Sequence, residues 1–180
     1  MGIDDEGRIE VVIKADETED AESPYIGIVT GESAVFELDL TIPAGSHSNN
    51  DILADTQLIS SEVFKASGRG IVIWQSLSVL DLDEQDTTLD VFLLRSNTSM
   101  GSEGASPSIT GTNAKEIVAE WQVESKDWRD LGTSARTEYQ NIGTVIKALT
   151  GSRSLYIAVI ARGSHSATNG MHVKLGFIQE

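Results

Sequence analysis

The residues best equipped for chemistry in this chain are its three histidines, His47, His165 and His172. Two of them sit in the same tetrapeptide, Gly45-Ser46-His47-Ser48 and Gly163-Ser164-His165-Ser166. A serine beside a histidine supplies the residue types of a nucleophile and its base. Adjacent side chains rarely meet in hydrogen-bonding geometry, however, and the Gly-x-Ser-x-Gly elbow is missing. The two tetrapeptides therefore read as polar loops. His172 alternates with Val173 at the start of an apolar run and is expected to face solvent. No pair of histidines has the spacing of a helical metal site.

Asp81, Asp83, Glu84 and Asp86 lie between two apolar runs. Hard oxygen ligands on a flexible loop suit calcium. The EF-hand spacing, its turn glycine and its terminal glutamate are all missing, so the expectation is a solvated turn bearing charges. A glycosidase needs two carboxylates at a set separation, and among so many acids nothing selects two. Gly68-Arg69-Gly70 runs straight into Ile71, Val72 and Ile73, which breaks the dinucleotide pattern and reads as a tight turn feeding a strand. Trp74 continues an apolar run and belongs in the core. Trp121 and Trp128 flank a polar stretch at 124–127. An exposed tryptophan could stack on a sugar or anchor an interface, but core or half-core is the better expectation for both.

The elements that position these residues are strands. At 34–42, Phe36, Leu38, Leu40 and Ile42 alternate with Glu37, Asp39 and Thr41, which puts four apolar side chains on one face. Pro43 then ends the run. Ile9, Val11 and Ile13 alternate near the start, Ile71 and Ile73 lead into Leu77 and Val79, and Leu155, Ile157 and Val159 form a further run. Val173, Leu175 and Phe177 close the chain. Residues 89–94 are almost wholly apolar, as in a strand covered on both faces. Residues 137–149 carry Asn141, Gly143 and several β-branched side chains, which tilts them from helix towards strand. Asn113 with Glu116 resembles a capping box, enough for a turn or two of helix. Residues 96–107 are the most loop-like interior segment. Short strands punctuated by turn residues predict an all-β, antiparallel fold, a β-sandwich or a barrel, with at most one or two short helical turns.

Composition narrows function further. The chain has 180 residues and no cysteine, so thiolate chemistry and disulfides are excluded. No apolar run approaches the roughly 20 residues of a membrane span, and the start lacks a signal peptide's basic and apolar blocks. The chain reads as soluble and not exported. Thirteen basic residues against 28 acidic ones give a net charge of -15. Such a surface repels nucleic acid and anionic membranes. Residues 1–22 hold nine acids, among them Asp4, Asp5, Glu6 and Glu10, against two bases. This stretch reads as an acidic N-terminal arm ahead of a single β-sandwich domain at 23–180.

The second half of the chain carries a resemblance. Leu80-Asp81-Leu82-Asp83 is followed by Leu89-Asp90-Val91-Phe92-Leu93-Leu94, Asp127-Trp128-Arg129-Asp130-Leu131-Gly132-Thr133 and Asn141-Ile142-Gly143. Then come Gly151-Ser152-Arg153-Ser154-Leu155-Tyr156, Arg162-Gly163 and Lys174-Leu175-Gly176-Phe177. From about residue 57 onward the pattern resembles small tailed-bacteriophage virion proteins encoded near the major capsid protein, the capsid decoration or cement proteins. The resemblance implies a jelly-roll-like sandwich, no catalytic residue and no cofactor. It implies the major capsid protein as partner, a homo-oligomer with a trimer favoured, and a place on the outer surface of the virion capsid after synthesis in the host cytoplasm. Asp4, Asp5, Glu6, Glu10, His47 and His165 are the expected partner-binding residues. The alternative is a carbohydrate-binding β-sandwich module of a phage tail or surface protein.

Overall fold

The computed structural model describes residues 31–66 and 70–180, together with the backbone of two short strands, β1 (Gly2–Ile3) and β2 (Ile9–Glu10), which pair antiparallel. The rest of the 1–22 arm, with Asp4, Asp5 and Glu6, and the side chain of Glu10 lie outside the described residues. The remaining strands are β3 (Glu32–Leu40), β4 (Gly45–His47), β5 (Ile52–Ser60), β6 (Ile71–Asp81), β7 (Leu89–Leu94), β8 (Ile117–Val123), β9 (Arg129–Asp130), β10 (Ala135–Lys147), β11 (Leu155–Ala161), β12 (His165–Ala167) and β13 (Met171–Gln179).

Two antiparallel sheets face each other, one ordered β3-β13-β6-β10-β9 and the other β5-β11-β7-β8. The eight long strands are nested. In chain order the first pairs with the eighth, the eighth with the third and the third with the sixth; the second pairs with the seventh, the seventh with the fourth and the fourth with the fifth. That is the pairing of a jelly roll, two interlocked Greek keys. Every connection between successive long strands changes sheets except β7 to β8. The core between the sheets is built from Trp74, Leu77, Leu89, Leu93, Ile157 and Leu175, among others, all fully buried.

β3 is the half-buried edge strand that its alternation predicts: Phe36 and Leu38 pack against the core, Leu40 is buried, and Glu37 and Asp39 are exposed. β6 changes phase at its middle, with Trp74 in the core as expected. Val72 and Trp74 are the buried residues before the middle of the strand, while Ile71 and Ile73 face outward; Leu77 and Val79 are buried after it. Gln75 has no partner on either neighbouring strand, since the registers jump from Trp74 to Ser76 against both β10 and β13. A bulge adds one residue and so exchanges the two faces of everything beyond it. On β10 the matching irregularity spans residues 141–143, with Asn141 at φ 60° and Gly143 at φ 73°, the left-handed region that Gly and Asn enter most easily.

All six residues of β7 are buried, as a strand covered on both faces requires. The second cover is the 95–116 connection, which lies across the outer face of its own sheet. Met100 from that connection joins Ile52, Phe92, Leu94, Ala158 and Ile160 in a small separate core, with Ile109 packed alongside. Backbone bonds fasten it: Gly104 N–H donates to Ile52 O at 2.9 Å and Ile52 N–H to Ala105 O at 3.0 Å. Asp55 accepts the Met100 N–H and the Ser99 hydroxyl, each at 2.7 Å. Helical structure among the described residues is two 3₁₀ turns, Asn113–Glu116 and Ser125–Asp127. The expected capping box at Asn113 is not formed. Thr112 occupies the cap position without a side-chain bond, and the Thr110 hydroxyl accepts the Asn113 N–H instead.

Candidate functional site

The two Gly-Ser-His-Ser segments are not separate loops. β4 and β12 pair antiparallel, with His165 opposite His47, Ser166 opposite Ser46 and Ala167 opposite Gly45. The two imidazoles lie 6.4 Å apart, centre to centre. Both histidines, expected as partner-binding residues, are buried, at 6% and 2% exposure. Pairing of the segments turns both rings inward. His47 Nε2 donates to the Pro43 carbonyl at 3.0 Å, which leaves Nδ1 as the lone-pair nitrogen beside Gly104. His165 has no hydrogen-bond partner at either ring nitrogen.

The acidic stretch after β6 closes over the same corner, and it is not simply a solvated turn. Asp81, the last residue of β6, is fully buried; its carboxylate accepts the N–H groups of Asp83 at 2.9 Å and Gln85 at 3.0 Å. Its Oδ2 stands 4.0 Å from His165 Nδ1. Asp83 reaches across to the β12–β13 turn, where it accepts the backbone N–H groups of Thr168, Asn169 and Gly170 and the Asn169 side-chain amide. Gln85 accepts the Ser166 N–H, and the Thr87 hydroxyl donates to Ser164 O. Only Glu84 and Asp86 of the four acids are exposed.

Electrostatics follow from this arrangement. Burial, the largest influence, pushes the His165 pKa below the ordinary imidazole value; Asp81 acts against it, His47 with it and Asp83 against it. Burial works to raise the Asp83 pKa, but the converging donors from Thr168, Asn169 and Gly170 hold its carboxyl below the usual range. The corner thus gathers one buried imidazole and the carboxyl groups of Asp81 and Asp83. One ligand atom each from Asp81, Asp83 and His165 can be chosen so that all lie within 4.8 Å of one another. Sequence spacing could not show this cluster, since His165 lies far from the acids along the chain; the repeated tetrapeptide was the one available signal.

The molecule's outer surfaces differ from this interior. On the outward face of the first sheet, Ile178, Ile73 and Val145 share one row across β13, β6 and β10. Val35 extends that patch onto β3; Val35 and Val145 are 64% and 63% exposed. Charged pairs border it: Lys174 with Glu37 at 2.8 Å, and His172 with Asp39 at 2.7 Å. His172 therefore lies on the outward face, as expected. A cleft of about 730 Å³ opens beside β9 and β10, with Trp128, Tyr139, Arg129 and Arg136 in its walls. None of the tryptophans is exposed. Trp128 is buried and donates to Thr87 O, and Trp121 stands edge-on between Trp74 and Tyr139, at 6.4 and 5.3 Å. The three tryptophans therefore present no flat stacking platform for a sugar.

No family model matches the sequence, and no curated protein is significantly similar to it. Among solved structures, a chain from the picornavirus capsid of an expanded equine rhinitis A virus particle is similar over 94% of this chain and 80% of its own length, at 13% identity and a TM-score of 0.26. A likeness of that size does not bear on function.

Proposed function

We propose that this protein is a non-enzymatic virion structural protein, a decoration protein that binds the outside of a phage capsid and strengthens the contacts between major capsid protein subunits. The observation that carries the reading is where the residues of the resemblance fall. They lie on the jelly-roll framework or its corners: β6 running into the 81–83 turn, β7, the β9 corner, the β10 bulge, the entry and exit of β11, and the centre of β13. A jelly roll alone serves many functions, so the pattern on it matters more than the architecture.

A decoration protein needs a stiff body and a contact surface rather than an active site. The outer patch of Ile178, Ile73 and Val145, extended by Val35 and bordered by charged pairs, offers the apolar centre and polar rim of such a contact. Binding only the assembled shell stabilises that state by mass action, and a symmetric shell favours copies meeting at symmetry axes, with a trimer the simplest arrangement. The acidic surface suits a basic groove on the shell.

The test is co-sedimentation of the purified protein with mature shells that lack it. Saturable binding at a fixed ratio to capsid subunits, with a raised shell melting temperature, is the expected result. Substituting Val35→Asp together with Val145→Asp should weaken that binding without unfolding the protein. Failure of the unaltered protein to bind mature shells would overturn the reading.

A further inference from the structure

We propose that Asp81, Asp83 and His165 form a binding site for one divalent transition cation of the zinc class, which staples the 81–87 turn to the β12–β13 corner. The observation that points to a ligand is His165. Its side chain is fully enclosed, neither ring nitrogen has a partner, and Nδ1 points towards a carboxylate too far away for a hydrogen bond. A buried polar atom without a partner is costly and rare, and each such group calls for an explanation. A cation between the imidazole and the carboxylates supplies one.

The geometry accommodates it. A tetrahedral ion with bonds of about 2.1 Å holds its donor atoms about 3.4 Å apart. His165 Nδ1 and Asp81 Oδ2, at 4.0 Å, would draw in by roughly half an ångström on binding. Asp81 accepts one N–H on each oxygen, which leaves lone pairs free on both. Asp83 can join as third ligand because the Asn169 N–H is shared between its two oxygens, at 3.0 and 2.9 Å, so releasing one contact strands no donor. The set selects the metal. Calcium and magnesium take oxygen ligands, whereas an imidazole with carboxylates suits zinc, and water completes the shell. His47 Nδ1 is also buried without a partner, but it lies outside the group of ligand atoms within 4.8 Å of one another, its ring centred 6.4 Å from that of His165.

Equilibrium dialysis of the full chain against zinc alone should give one ion per chain, with a rise in melting temperature that a chelator reverses. The His165→Gln variant should bind zinc at least about 100-fold more weakly, since loss of an outer-shell partner alone weakens metal binding by about 10- to 100-fold. His172→Gln is the control, because His172 with Asp39 and Glu37 is the competing surface site; it should leave affinity unchanged. Should His165→Gln fail to fold, imidazole NMR on the unaltered protein decides. Zinc should shift the His165 ring resonances and leave those of His172 in place. Absence of saturable binding, or binding that depends on His172 and not on His165, would overturn the proposal.

Discussion

Replacing Met100 with alanine tests whether the 95–116 connection is part of the folded body or merely rests on it. Met100 is 2% exposed, and its side chain is that connection's main insertion into the outer core of Ile52, Phe92, Leu94, Ala158 and Ile160. The substitution removes three heavy groups beyond Cβ; at about 0.8 kcal/mol for each, the transfer loss is about 2.4 kcal/mol. A cavity left under a loop tethered through Asp55 adds to this, towards the middle of the roughly 2–5 kcal/mol range for buried methionine. For a chain of this size each kcal/mol lowers the melting temperature by about 2–4 °C, so a fall of about 7–14 °C is expected.

Two readouts are needed. Tryptophan fluorescence reports the inner core, where Trp74 lies, and limited proteolysis reports opening of residues 95–116. If the connection belongs to the cooperative unit, the inner-core transition itself moves down, and cleavage in 95–116 rises only in step with global unfolding. An unchanged fluorescence transition with rapid cleavage of 95–116 would show local opening instead. It would refute the claim that this segment is a second cover integral to the sandwich. Leu131→Ala, at a site 59% exposed, is the control and should stay within about 0.5 kcal/mol of the unaltered protein.

Other outcomes follow from the same structure. Arg162, its side chain 35% exposed, pairs with Asp90, which is buried and also accepts from Gln122 at 3.0 Å; Arg162→Met should cost about 1–3 kcal/mol in denaturant unfolding, less than a fully buried broken pair because solvent reaches the site and Gln122 remains. Burial, and then donation of its hydroxyl to Asp127, push the Tyr139 pKa up to about 12. In the unfolded chain it ionises near 10, so its stabilisation is intact below about pH 10 and is lost as pH rises towards 12; phenolate absorbance should show a late-titrating component that Tyr139→Phe removes. Asn141→Val at the β10 bulge, where φ is 60°, should destabilise by about 1–2 kcal/mol, whereas Asn141→Gly should be close to neutral.

How much of this was legible depends on how local the cause is. β3 and β7 could be read directly, because the alternation of Phe36, Leu38 and Leu40 and the unbroken apolar run of β7 are statements about faces of single strands. β6 was legible as a strand but not in phase. The odd-numbered Ile71, Ile73, Leu77 and Val79 suggest one continuous face, and nothing nearby announces that Gln75 is a bulge. The bulge is set by pairing with β10 and β13, both distant in the chain. The same limit hid the His165 corner, whose acids come from the end of β6 and whose imidazole comes from β12.

Polar composition was the weakest guide, for a physical reason. Residues 96–107 and the tetrapeptide at 163–166 both read as loops, yet each carries a side chain buried in the fold. A segment needs only one or two inward anchors to be held, Met100 in the first case and His165 in the second, while its remaining residues stay polar and solvated. What fastens it is largely backbone, as with Gly104 to Ile52 or the N–H groups of 168–170 converging on Asp83, and backbone bonds leave no trace in side-chain composition. The consequence reaches function. A body whose long connections are pinned to its sheets loses little conformational entropy on docking, which would serve the decoration role proposed above. If those anchors are removed one at a time, shell affinity should fall even where the outward patch of Val35 and Val145 is untouched.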